Sequence, residues 1–188
     1  VCIVVGLDLS LTGTGICRIE SADGRTRVSL KQVGEKGFKD ATWSDRESRL
    51  RRTVRTIVET CVIPTNPDLI VIEAPAYSRT EGHAFDRAGL WWLVYTTLKD
   101  ESIPVAPVDN SKRALYGSGV SGKKDKESVM ASMVRRFPTL PITTNNEADA
   151  LALACMGMRH LGKRIDAVPQ ASLKAMQGIK WPTEGIRT

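Results

Sequence analysis

An apolar run that ends on a single acid constrains this chain more than any other feature. Ile3-Val4-Val5-Gly6-Leu7-Asp8 leads into Leu9-Ser10-Leu11-Thr12-Gly13-Thr14-Gly15, and a second apolar segment, Ile16-Cys17-Arg18-Ile19, follows at once. β-branched residues ahead of a glycine-rich turn predict a strand, a hairpin and a returning strand. An aspartate at that place either ends the strand by bonding to the turn amides, or carries a buried charge that needs a cation, a donor or a metal. The rest of the chain decides between these.

Arg27-Val28-Ser29-Leu30-Lys31-Gln32-Val33 alternates with period two, so residues 1 to 34 read as a three-stranded antiparallel meander. After a loop over 34 to 42, Ser44 or Asp45 caps a helix with Leu50, Val54, Ile57, Val58 and Cys61 on one face and arginines on the other, and Pro64 and Pro67 stop it. Leu69-Ile70-Val71-Ile72-Glu73 is a short continuous apolar run ending in a second acid. That pattern marks a strand buried on both faces, reached by a helical crossover and so parallel to the first.

Helices are expected at 82 to 99, from the cap Asn110 through Tyr116, and at about 125 to 137, with a proline-shortened strand at Pro104 to Val108. The apolar surface of 82 to 99 is wider than one stripe, which suits contact with a sheet and with a second subunit, though Trp91 and Trp92 fit the core of one copy equally well. Thr144 and Glu147 form a capping box for a helix whose Ala148, Leu151, Ala152, Cys155, Met158 and Leu161 make a core face. A basic tail, 163 to 188, carries one short helical stretch near Ala171 to Met176.

A chain of 188 residues suffices for one domain with its own core. No window approaches the ~18 apolar residues of a membrane span, and the N-terminal run is too short for a secretion signal, so a cytoplasmic protein with no membrane partner is expected. The first residue is not Met, and a processed or trimmed start is expected. Cys2, Cys17, Cys61 and Cys155 lack C-x-x-C spacing and read as reduced core residues. His83 and His160 stand outside every acidic motif and are read as packing or surface groups. The net charge of +6 is clustered in Arg46 to Arg55, Lys112 to Lys126 and Arg159 to Arg187, which points to a polyanion, nucleic acid before membrane. With 5% aromatic residues there is little for extensive base stacking.

Asp8 and Glu73 at neighbouring strand ends, with Asp149 in the first turn of a late helix, bring three acids together. Like charges ~4 Å apart converge only around something cationic. Oxygen-only ligands suit a pair of Mg²⁺ ions, with Mn²⁺ as substitute, and two such ions are the standard clamp for phosphodiester hydrolysis.

Gly6-Leu7-Asp8-Leu9-Ser10-Leu11-Thr12-Gly13-Thr14-Gly15, Val71-Ile72-Glu73-Ala74-Pro75 and Asn146-Glu147-Ala148-Asp149-Ala150-Leu151-Ala152 resemble, in order and spacing, the acidic motifs of the RuvC family of Holliday junction resolvases, phage-type members of the RNase H-like superfamily. The resemblance spans residues 1 to 162. It implies an α/β RNase H-like fold whose five-stranded mixed sheet, three antiparallel then two parallel strands, is flanked by helices. It also implies a homodimer that nicks four-way DNA junctions in pairs with two Mg²⁺ per subunit, in the host cytoplasm if phage-encoded.

By position, Asp8, Glu73 and Asp149 match three of the family's four metal-binding acids. The fourth falls on Asn146, which offers a carbonyl oxygen but no charge, so that second-metal affinity falls or Glu147 substitutes. The family's basic region matches Pro107 to Lys112, Tyr116-Gly117-Ser118-Gly119 and Lys124 to Val129. Lys112 and Lys126 would then stand near the scissile phosphate, with Lys123 and Lys124 also on DNA and Tyr77 as the wedge residue after the second acid; for the lysines a solvated basic face is the alternative. Helix 82 to 99 corresponds to the dimer helix.

Other readings share much of this. A junction-binding protein that has lost cleavage accounts for Asn146, and a nuclease for flaps, forks or RNA–DNA hybrids uses the same chemistry on a different substrate. An actin-like or sugar-kinase ATPase also opens on a Gly-x-Asp hairpin, but needs a second domain that 188 residues do not provide.

Overall fold

The computed structural model describes residues 1–75, 83–120 and 126–185. β1 (Cys2–Asp8) sends alternate side chains to two separate cores, Val4 to one and Val5 and Leu7 to the other. That division makes it a central strand. β2 (Thr14–Ala22) pairs with it antiparallel and β3 (Arg25–Val33) pairs antiparallel with β2, while β4 (Leu69–Glu73) lies parallel to β1 and β5 (Val105–Val108) parallel to β4. The order β3-β2-β1-β4-β5 is the mixed sheet expected from the sequence.

One face is covered by α1 (Trp43–Arg55) and α2 (Ala84–Asp100). The cap of α1 is Thr42 rather than Ser44 or Asp45: the Thr42 hydroxyl accepts from the Asp45 amide at 3.2 Å and the Asp45 carboxylate accepts from the Thr42 amide at 2.9 Å. The chain continues through a wide π-helical stretch, Thr56–Val62, and a tight 3-10 turn, Ile63–Thr65, that ends ahead of Pro67. Ile57, Val58 and Val62 meet Leu90, Trp91, Val94 and Leu98 of α2 over Val5, Leu7, Ile70 and Ile72.

The arginines of α1 do not form the free basic face that the charge pattern suggests. Arg46 and the buried Arg49 both pair with Asp86 of α2, at 2.6 and 3.1 Å, and Arg51, Arg52 and Arg55 pair with Glu47, Glu35 and Glu59. The Arg46 and Arg49 pairs dock α1 on α2, because a buried carboxylate such as Asp86 is tolerated only with compensating charge.

The opposite face carries α5 (Asn145–His160), and α3 (Asn110–Ser118), α4 (Lys126–Arg136) and α6 (Gln170–Ala175) lie on that same side of the fold. α5 is buried around its whole circumference from Glu147 to Met158, not along one core face only, since the sheet lies under it and α3 and α4 pack against it. Small residues let it lie close. A Cβ on Gly6 would stand 2.1 Å from the Ala150 carbonyl oxygen, and one on Gly15 2.0 Å from that of Asn146.

The cap position of α3 is Asp109, one residue ahead of the expected Asn110, which is the first residue of the helix. Ile165, Val168, Ala175, Met176, Ile179 and Trp181 fold back on this layer. Asp166 accepts from Tyr116 at 3.0 Å and pairs with Arg136 at 3.1 Å and Arg159 at 2.7 Å, and Trp181 stacks on His160 with ring centroids 4.2 Å apart. Burial pushes the Cys17 and Cys155 thiols up, which suits reduced core cysteines. Among the described residues no helix is long and apolar enough to cross a membrane.

Candidate active site

Strand alternation brings the first two acids to one side. Val4 of β1 and Leu69 and Val71 of β4 face α5, so Asp8 and Glu73, an even number of residues further on, face α5 too. The last paired positions are Leu7 beside Ile72, which makes Asp8 and Glu73 the next neighbours at the carboxyl ends of parallel strands. Such ends, in open α/β sheets, are where ligand crevices form.

The third acid arrives on α5. Its N-terminus is fixed by the expected capping box: the Thr144 hydroxyl accepts from the Glu147 amide, and the Glu147 carboxylate accepts from the amides of Thr143 and Thr144, at 2.8 and 3.0 Å, and from the Thr143 hydroxyl at 2.8 Å. Burial pushes the Glu147 carboxyl up, but these donors outweigh it and hold it below the usual range. Glu147 is therefore committed to the cap. The Asn146 side-chain amide donates to the Gly13 carbonyl and ties the start of α5 to the β1–β2 turn, which Thr14 closes through its hydroxyl and both backbone groups of Ser10. Three residues past Asn146, and so in the second turn of α5 rather than the expected first, Asp149 is buried against the sheet.

What the sequence reading missed is Arg113. From α3 its Nε donates to Glu73 at 2.8 Å and its Nη1 to Asp149, so one buried guanidinium bridges the second and third acids. Asn110, one turn earlier, donates to the other Glu73 oxygen at 3.0 Å, and the Trp91 indole donates to the Glu73 backbone carbonyl at 2.8 Å. Every oxygen of Glu73 thus has a donor from a different direction. A signal was present: the buried residues of α3 are Arg113, Ala114, Tyr116 and Gly117, a helical stripe that includes the arginine.

The other expected contacts divide. The Lys112 ammonium donates to the Gln177 carbonyl, just past α6. Lys126 opens α4, though its side chain is outside the description, and Tyr77, Lys123 and Lys124 lie outside the described residues. His160 is a packing residue, as its stacking on Trp181 shows, and His83 stands 3.9 Å from Asp86.

The donors offered by Asp8, Glu73, Asp149 and Asn146 are oxygens, with no thiolate or imidazole among them, and this set fits a hard divalent cation such as Mg²⁺. Glu73 and Asp149 are closed on the Arg113 guanidinium, and among the described residues no three His, Cys, Asp or Glu side chains are gathered to hold an ion.

No protein-family model and no curated protein sequence matches the chain. Solved structures do. Thermus thermophilus RuvC in complex with a Holliday junction substrate superposes with a TM-score of 0.65 at 16% identity, over 89% of this chain and 100% of that one. The yeast mitochondrial Holliday junction resolvase Ydc2 gives 0.56 at 16% identity, over 86% and 79%. The fowlpox virus resolvase with its substrate Holliday junction DNA gives 0.52 at 10% identity, over 85% and 98%. At these identities the likeness establishes the fold, which is the RuvC-type, RNase H-like one expected from the motifs.

Proposed function

We propose that this chain is a structure-selective endonuclease that nicks branched DNA, above all the four-way junction, in symmetric pairs. The observation that carries the reading is the placing of Asp8 and Glu73 at adjacent strand ends with Asp149 on the helix that crosses them, on the fold of a RuvC bound to a Holliday junction substrate and of two resolvases. Asp8, Glu73 and Asp149 would hold divalent metal, Mg²⁺ or Mn²⁺, with Asn146 as a neutral fourth donor. Such metal supplies an activated water and a charge on the leaving oxygen of a phosphodiester.

The chain's own residues supply the rest. The strand ends and α5 carry the three carboxylates, and Arg113 balances the charge of Glu73 and Asp149 in the DNA-free protein. Lys112, and Lys126 from the start of α4, are the candidate cations for the phosphate backbone, with Lys123, Lys124 and Tyr77 as further DNA contacts. A homodimer supplies two sites for two symmetric cuts. Its candidate face lies on α1 and α2, where Trp43, Phe85, Trp92 and Leu93 expose apolar side chains to solvent.

A second reading, a junction-binding protein with weakened cleavage, is favoured by Asn146, which adds no charge and whose amide is engaged by Gly13. Both readings predict that a synthetic four-way junction binds at least about tenfold tighter than linear duplex built from the same arms, in gel-shift competition at fixed salt. Equal affinity for the two would remove junctions as the substrate class.

A further inference from the structure

Arg113 is a permanent cation placed where the proposed function needs metal ions. Its guanidinium reaches two carboxylates on different elements, Glu73 on β4 and Asp149 on α5, and its side chain is 5% exposed. Arginine keeps its charge in any such environment and presents a rigid planar fork, so the bridge is geometrically specific. Without it the two carboxylates would face each other in a poorly solvated cleft, a costly arrangement. The same contact opposes metal. An ion shared by Glu73 and Asp149 would stand within a few ångströms of the guanidinium, and two cations at ~4 Å repel strongly away from bulk water.

We propose that Arg113 is a built-in counter-ion that competes with divalent metal for Glu73 and Asp149, keeping the DNA-free protein folded and poorly loaded, so that metal enters as Arg113 gives way. Arg113 is in this sense a positioning residue that acts through the two carboxylates. The inference rests on the reading of those acids as metal ligands, and the test separates the two.

Mn²⁺ is titrated calorimetrically into the DNA-free protein, into Arg113→Gln and into Arg113→Gln/Glu73→Gln, with thermal unfolding of each followed with and without Mn²⁺. Arg113→Gln is expected to bind Mn²⁺ about tenfold or more tightly than the unaltered chain, to melt earlier without metal, and to recover most of that loss when Mn²⁺ is added. The double variant is expected to lose the gain. Equal or weaker Mn²⁺ binding by a folded Arg113→Gln would overturn the competition, whereas undiminished binding by the double variant would overturn Glu73 as a ligand. Should Arg113→Gln fail to fold, the Nε–Hε resonance of Arg113 in the unaltered protein gives the answer. It is expected to lose its protection from solvent exchange as Mg²⁺ is added, and protection unchanged at saturating Mg²⁺ would contradict the proposal.

Discussion

Asp8→Asn is expected to abolish nicking of a four-way junction, by about 10²–10³-fold or more, while changing junction affinity by less than about tenfold. The substitution keeps the side chain's size at the end of β1. What it removes is one negative charge and one oxygen donor at the place where the strand ends of β1 and β4 meet α5. Binding a polyanion draws on lysines and arginines spread over the surface, each neutralising phosphate and releasing counterions, and none of that depends on Asp8. Loss of binding and of nicking in equal measure would show that Asp8 serves the fold or the DNA contact instead.

Gly6→Ala is expected to cost about 3 kcal/mol or more of stability, enough to unfold a marginal domain, measured as a fall in the urea midpoint at unchanged slope. Gly6 lies in the central strand, and its added methyl would meet the Ala150 carbonyl oxygen at 2.1 Å and the Ala154 amide nitrogen at 2.6 Å. Both are helix backbone, which cannot rotate aside as a side chain does. The helix would have to lift from the sheet, and since it carries Asn146 and Asp149 while the sheet carries Asp8 and Glu73, the site would open with it. Gly157→Ala provides the comparison: its methyl meets the side chains of Val4 and Val71, at 2.6 and 2.8 Å, which can yield in part. A milder loss is expected there. Equal effects at the two positions would mean that the close approach at Gly6 is not what limits the packing.

The sheet was legible because its strands carry local signals. The period-two meander, the buried run Leu69 to Ile72 and the acids that end β1 and β4 are readable within a few residues each, and so is the Thr144–Glu147 box. What escaped depends on partners far away in the chain. Arg49 sits on a helix face that charge alone assigns to solvent, and only Asp86, 37 residues on, makes it a buried group. The fold-back of the tail rests on Asp166 meeting Tyr116, Arg136 and Arg159 from three helices. Arg113 escaped for another reason: it stands within the basic run Lys112 to Lys126, which reads as a phosphate grip and hides its place on the buried stripe of α3. Thr42, missed as the cap of α1, has Asp45 at the third helical position, the same local signature that identified Thr144.

The central claim is that these acids serve cleavage of branched DNA, and its most direct test is nicking. A labelled four-way junction is incubated beside linear duplex, Y-shaped DNA and an RNA–DNA hybrid, with Mg²⁺ or Mn²⁺, using this chain and Asn146→Asp. Paired, symmetric nicks on the junction are predicted, faster with Asn146→Asp because the fourth donor then carries charge. No metal-dependent nicking of any branched substrate by either protein, or preferential nicking of the hybrid, would contradict the account.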